Sequence, residues 1–213
     1  MSRKLVVFDC DGVLTDHESS WQVLHEHFGS KPGKYFAELY KRGLISYLDW
    51  MKIDIALMIY SWGRPILKSE VLNALSKVRV KPEAKRVVEE LRSRNHRVVV
   101  VSSGVDLLVR RVCEELRIDY CLYNELFFVN DELIPSGISK VPLKDKSRII
   151  KTIAETSKIG LENTVYVGDS EWDIPVFKIV PVSIAVEPCG IACKYAKYVV
   201  KNLEEILKIP ELS

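Results

Sequence analysis

Four short apolar runs rich in β-branched residues punctuate the 213-residue chain: LVVF at 5–8, RVVVVSS at 97–103, TVYVGD at 164–169 and VSIAV at 182–186. They are near-continuously hydrophobic, the pattern of strands buried on both faces of a parallel sheet. Helical patterning separates them. DLLVRRVCEEL at 106–116 carries apolar residues at 107, 108, 112 and 116, and a second helical stretch covers 145–157. A third opens at Pro82, a residue suited to a first helical turn, and runs to a turn at Asn95. Strands alternating with helices predict an α/β fold, a doubly wound parallel-sheet (Rossmann-like) core.

Residues 17–80 interrupt that rhythm. They hold no convincing strand but four amphipathic stretches, marked by Trp21, Leu24 and Phe28; Phe36, Leu39 and Tyr40; Trp50, Ile53 and Leu57; and Val71, Leu72 and Leu75. Ser46 with Asp49 reads as a capping box opening the third, and Ser69 as a cap for the fourth. The expected organisation is therefore a core of residues 1–16 and 81–213, with a small helical cap, residues 17–80, inserted after the first strand. FFVNDELI at 127–134 predicts a β-hairpin turning at Asn130-Asp131.

Thirty-one Lys and Arg against twenty-nine Asp and Glu leave a net charge of +2. The basic residues are scattered, which argues against a nucleic-acid or membrane surface. The N-terminus turns acidic too early for a secretory signal, and no apolar run reaches the ~18 residues of a membrane span. Five cysteines without a CxxC pair suggest free thiols in a reducing compartment. Cys189 and Cys193 lack the companion ligands of a metal site and are expected to be small buried side chains. A cytoplasmic location is the expectation.

Two carboxylates, Asp9 and Asp11, stand one residue apart at the exit of the first strand. Aspartate also favours turns, so the pair could merely end the strand. The cap insertion, however, hangs over that strand end, where ligands bind in open α/β sheets. Other polar groups come from neighbouring strand ends or helix starts: Ser102-Ser103-Gly104, Lys146, and Asp169 with Asp173. Such a set suits a phosphate monoester. Carboxylates supply the hard oxygen ligands Mg²⁺ prefers, serine and backbone amides bond phosphate oxygens, and a lysine adds charge. A cation and a lysine are needed before a carboxylate can approach a phosphate dianion.

These residues resemble the haloacid dehalogenase superfamily. DCDGV fits its DxDx(T/V) motif, VVVVSSG its strand-then-Ser/Thr motif, Lys146 its lysine and VGDSEWD its GDxxxD motif. The small helical cap and the NELFFVNDELI hairpin resemble its phosphoserine phosphatase branch. The resemblance implies a Mg²⁺-dependent phosphatase acting on a small phosphorylated metabolite through a phosphoaspartyl intermediate. It further implies Asp9 as nucleophile and Asp11 as general acid, then base. Ser102, Ser103, Gly104 and Lys146 would bind phosphate. Asp9, Asp11 (through its carbonyl) and Asp169 would hold the metal, and Asp173 the metal shell or the lysine. Glu18 would be a substrate-recognising acid at the entry to the cap.

Several alternatives remain open on the residues alone. Ser103 could take the role of Ser102 after a one-residue slip, and Lys144 and Lys146 could both be solvated helix-face charges. The histidines at 17, 25 and 27 take no family role, and Trp172 could simply pack. A non-catalytic, phosphoryl-accepting receiver-like module would need neither Asp11 nor a cap, and a phosphotransferase or a dehalogenase stays within the same superfamily. The branch also carries a cap arginine that pairs with the substrate carboxylate. Here an ungapped count puts Asp54 at that position, with Arg64 a nearby substitute, and Trp172 stands where the branch's GDxxND motif has Asn. A cationic, hydroxylated or aromatic leaving group suits Glu18 and the aromatic cap better than phosphoserine does.

Overall fold

A computed structural model of the protein describes residues 3–118 and 120–213. Seven strands form one sheet: β1 (Leu5–Phe8), β2 (Arg97–Val105), β3 (Cys121–Val129), β4 (Glu132–Ile138), β5 (Thr164–Gly168), β6 (Val182–Val186) and β7 (Tyr198–Val200). Their spatial order is β4-β3-β2-β1-β5-β6-β7. All pairings are parallel except β3–β4, which is antiparallel. β1 sits centrally, with Phe8 opposite Val100 on one side and Val167 on the other.

The alternating faces of these strands explain the continuous hydrophobic runs. Val6, Phe8, Val98, Val100, Val165 and Val167 enter one core cluster, while Leu5, Val7, Val99, Val101 and Tyr166 enter another on the opposite face. Helices α5 (Ala84–Ser93) and α6 (Asp106–Glu115) cover the first, and α7 (Lys146–Thr156) and α8 (Ile174–Phe177) the second. Burying each such side chain contributes about 1.5–3 kcal/mol.

Between β1 and α5 lie four helices: α1 (Ser20–His27), α2 (Lys34–Lys41), α3 (Tyr47–Trp62) and α4 (Lys68–Leu75). Leu24, Phe28, Ile55, Met58, Val71 and Leu75 from this insert join the first core cluster. The Ser46–Asp49 capping box opens α3. Ser69 is not a cap: α4 begins at Lys68, and the Glu70 carboxylate accepts from the Leu67 amide at 2.9 Å, two residues ahead of the expected cap. The insert leaves and rejoins the core side by side, through a Thr15–Val80 bridge and the Asp16 amide donating to the Arg79 carbonyl at 3.0 Å.

The β3–β4 hairpin turns at Asn130 and Asp131, both with positive φ (48° and 64°), as a two-residue primed turn requires. The cysteines overturn the free-thiol expectation. Cys113 pairs with Cys121 and Cys189 with Cys193, leaving Cys10 as a buried free thiol. Linear spacing does not reveal the first pair, because α6 and β3 bring the two Cα atoms to 6.7 Å only once packed. Cys189 and Cys193 lie at either end of a 3₁₀ turn with Cα atoms 5.3 Å apart. Among the described residues no helix is long and apolar enough to cross a membrane.

Candidate active site

The sheet order reverses at β1, since the chain proceeds outward through β2 and β3 on one side and β5 to β7 on the other. Crevices beyond the carboxyl ends of strands at such a switch point are where open α/β sheets bind ligands. Asp9 follows directly on β1, anchored by its amide donating to the Val167 carbonyl at 2.9 Å. A cavity of about 710 Å³ opens there. Asp9, Asp11, Ser102, Ser103, Gly104, Lys146, Asp169 and Glu18 all line it. Asp173 sits just behind, fully buried.

Lys146 is the hub. Only 1% exposed, it donates to Asp9 Oδ2 and, at 2.8 Å, to Asp173 Oδ1. Burial alone would depress its ammonium, but the charges of Asp173 and Asp9 outweigh that and hold it well above the ordinary lysine range. Lys144, by contrast, donates to the carbonyls of Tyr40 and Lys41 at 2.8 and 2.6 Å, on the outside of the cavity wall.

Asp173 is spent on other protein groups. Oδ1 accepts from Lys146 and from the Tyr166 hydroxyl at 2.6 Å, and Oδ2 accepts from the amides of Asp169 and Ser170 and from the Ser170 hydroxyl. Despite burial, these donors and the lysine charge hold its carboxyl below the usual range. Asp173 thereby ties the lysine to the loop that carries Asp169.

Oxygens of Asp9, Asp169 and Asp173 lie within 4.8 Å of one another. Burial, then the charges of Asp9 and Asp173, push the Asp169 carboxyl up to about 8. Burial raises Asp9 to about 6 against the pull of Lys146. Carboxylates so crowded are a site in want of a cation, and their all-oxygen donor set fits a hard divalent ion. Gly12 makes room for this: its φ is +72°, and a Cβ there would lie 2.0 Å from Asp169 Oδ2.

Asp11 points the same way but is held differently. Its Oδ2 accepts from the Ser20 amide (2.8 Å) and hydroxyl (2.6 Å) at the start of α1, while its buried Oδ1 has no hydrogen-bond partner. Burial raises its pKa despite the Ser20 bonds. On β2, the Ser102 hydroxyl accepts from the Gly104 amide at 3.1 Å, whereas the buried Ser103 hydroxyl is unpartnered. The Ser103 carbonyl is fixed from three sides, by Tyr47 Oη (3.0 Å), Asn124 Nδ2 (2.9 Å) and Trp21 Nε1 (3.3 Å). Gly104 is small for a reason: a Cβ would meet Asp11 Oδ2 and Ser20 Oγ at 2.8 Å.

Ser20, Tyr166, Tyr47, Trp21 and Asn124 were not singled out for these positioning roles by sequence reasoning. Tyr166 alone left a trace, as the one hydroxyl-tipped aromatic in an otherwise aliphatic strand. Arg64 supplies no charge to the cavity; it is exposed and clamped on Glu70 at 2.5 Å. Asp54, however, does line it. Trp172 packs against Tyr40 at the mouth, with Lys41 over its ring at 5.0 Å.

Comparison with known proteins agrees with this geometry. The family profile described as haloacid dehalogenase-like hydrolase matches residues 6–178. A phosphoserine phosphatase of Methanocaldococcus jannaschii is 30% identical over 210 residues, covering 97% of each chain. A solved phospho-aspartyl intermediate analogue of phosphoserine phosphatase superposes with a TM-score of 0.80 at 26% identity, covering 98% of this chain and 99% of that one. A substrate-bound phosphoserine phosphatase complex gives 0.82 at 25% identity, covering 98% of both. The profile spans the strand bearing Asp9, the Ser102 strand end, Lys146 and the Asp169 loop, so the chain belongs to the haloacid dehalogenase-like hydrolase family.

Proposed function

We propose that the protein is a Mg²⁺-dependent phosphatase of small phosphorylated metabolites, working through a phosphoaspartyl intermediate on Asp9. One observation carries this: a buried lysine holds one oxygen of Asp9 while Asp11, with a free oxygen, faces the same cavity. A receiver-like module has no use for that second carboxylate or for a cap. Asp9, Asp169 and the Asp11 carbonyl would hold the metal, which would neutralise phosphate charge as the carboxylate approaches. Asp173 serves the lysine and the loop.

The chain's own groups account for the steps. An Asp9 oxygen attacks phosphorus, and the bond from phosphorus to the substrate's ester oxygen breaks. Asp11, whose pKa burial raises, gives its proton to the departing alkoxide. It then takes a proton from the water that attacks the phosphoaspartyl group, releasing phosphate and restoring Asp9. Ser102, the Ser103 and Gly104 amides and Lys146 hold the phosphoryl oxygens meanwhile. Glu18 is the substrate-facing acid. The cytoplasmic placement stands on sequence alone, and its premise of free thiols is gone.

The direct test is hydrolysis of p-nitrophenyl phosphate with and without divalent cation. Turnover should require Mg²⁺ and cease in excess chelator. Activity persisting in chelator would remove the metal from the scheme; inactivity with Mg²⁺ on every small phosphate monoester tried would overturn it.

Gly12→Ala offers a second check. The added methyl group displaces the Asp169 carboxylate, and the positive φ costs a further ~1–2 kcal/mol. Mg²⁺ affinity measured by titration calorimetry is expected to fall about 10–100-fold, the usual result of disturbing a group that orients a ligand. An unchanged affinity would exclude Asp169 from the metal site.

A further inference from the structure

The lining of the cavity has a distinctive charge pattern. Its wall carries Glu18 and Asp54 among the aromatic side chains Trp21, Tyr47, Trp50 and Trp172. Among the described residues the lining contains no arginine, and its one lysine, Lys146, is already committed to Asp9 and Asp173. The lysines beside the mouth are committed too: Lys41 to Glu171 at 2.7 Å, and Lys144 to two backbone carbonyls.

Asp54 supplies the second, independent sign. It is 6% exposed, on α3, and its buried Oδ1 makes no hydrogen bond. His25 Nε2 lies 3.3 Å away but is misaligned for one, and is itself unpartnered. The other ring nitrogen of His25 is taken by Ser30 Oγ at 2.7 Å. A buried carboxylate oxygen without a donor is costly, and inside a binding cavity it calls for a ligand that brings one. Nearby ring faces favour a cation, as Lys41 over Trp172 already illustrates at the mouth.

We propose that the leaving group carries a positive charge and no carboxylate, which makes the substrate a phosphate monoester of a small amino alcohol, with its ammonium seated between Asp54 and Glu18. The proposal rests on the phosphatase scheme above and adds the substrate class. The reaction is then hydrolysis of the ester bond alone: the amino alcohol leaves with the proton from Asp11, and the amine is untouched. Specificity here is a difference, in which the two acids attract an ammonium and reject a carboxylate in the same place.

O-phosphoethanolamine and O-phosphoserine differ by a carboxylate alone, so they isolate this effect. Steady-state kcat/KM of the Mg²⁺-loaded protein is measured on both, on glycerol 1-phosphate as a neutral ester, and on p-nitrophenyl phosphate as a probe of the chemistry. O-phosphoethanolamine is expected to exceed both O-phosphoserine and glycerol phosphate by tenfold or more, a difference of about 1.4 kcal/mol in transition-state binding. Asp54→Asn should shrink that advantage through a higher KM for the amine ester, and Asp54→Arg should reverse the order of the two. If p-nitrophenyl phosphate is hydrolysed but O-phosphoserine or glycerol phosphate equals or beats the amine ester, the substrate class is wrong and the phosphatase scheme stands. Binding of the carboxylate by His25 would show itself in that way, as an O-phosphoserine preference lost in His25→Gln. If no ester is turned over, both fall. The wild-type ranking decides the matter even if an Asp54 variant fails to fold.

Discussion

Asp9→Asn is expected to lower phosphate ester hydrolysis by about 10⁴–10⁶-fold, the range seen when a nucleophile is removed from a site whose other parts persist. An amide oxygen is neutral and poorly nucleophilic, so no phosphoaspartyl group forms. The fold is expected to survive because two effects of similar size oppose each other. Both Asp9 oxygens accept, one from Lys146 and the other from the Cys10 amide at 2.7 Å, so the new NH₂ must face a donor, costing about 1–3 kcal/mol. Against this, burial raises the Asp9 carboxyl from 3.8 to about 6 in the folded protein. A raised folded pKa means that the neutral form is favoured: the stability it contributes is fully present below pH 4 and lost as pH rises through 6. At pH 7.5 the wild type therefore bears the cost of a buried charge, which the amide relieves. Melting within a few degrees of wild type together with lost turnover is the expected pair of results. Turnover near the wild-type rate would displace Asp9 from the scheme.

Lys146→Met should be damaging in a different way. It removes the cation between two buried carboxylates while keeping most of the volume. Breaking a buried pair from one side costs about 3–5 kcal/mol, because the remaining charge is uncompensated. For a chain of this size that is a melting temperature lower by roughly 6–20 °C, along with loss of activity. Adding Asp173→Asn to the same variant should recover part of the stability but none of the activity, since the two residues act as a unit. A fall of less than 3 °C for Lys146→Met would mean that the lysine is not the counter-charge its bonds indicate.

The legible parts of this protein were those with local signals. LVVF, TVYVG and VSIAV are continuous apolar runs, and they are buried strands, the first two ending where Asp9 and Asp169 enter the cavity. Lys146 was ambiguous against Lys144 because both precede one helix; only packing shows that the first points inward and the second out. β7 escaped notice because it is three residues long and at an edge. The start of β3 was missed because CLYN mixes polar and aromatic residues, and Asn124 is buried there to hold the Ser103 and Val141 carbonyls. The Cys113–Cys121 disulfide, and the Ser20 grip on Asp11, depend on segments meeting in three dimensions, which no period in the sequence encodes. The same holds for Asp54, which an ungapped count singled out but only the fold places in the cavity wall.

The central place of β1 has a consequence for how the molecule is made. Its neighbours are β2, beginning at Arg97, and β5, beginning at Thr164. At synthesis rates of about 5–20 residues per second, β1 waits roughly 8–30 s for its second partner. Until then it is a short, apolar strand with an open edge, vulnerable to mispairing with another nascent chain. Pairings so distant in sequence also slow the closing step itself. Asp9, the proposed nucleophile, is thus translated well before the strands that enclose it.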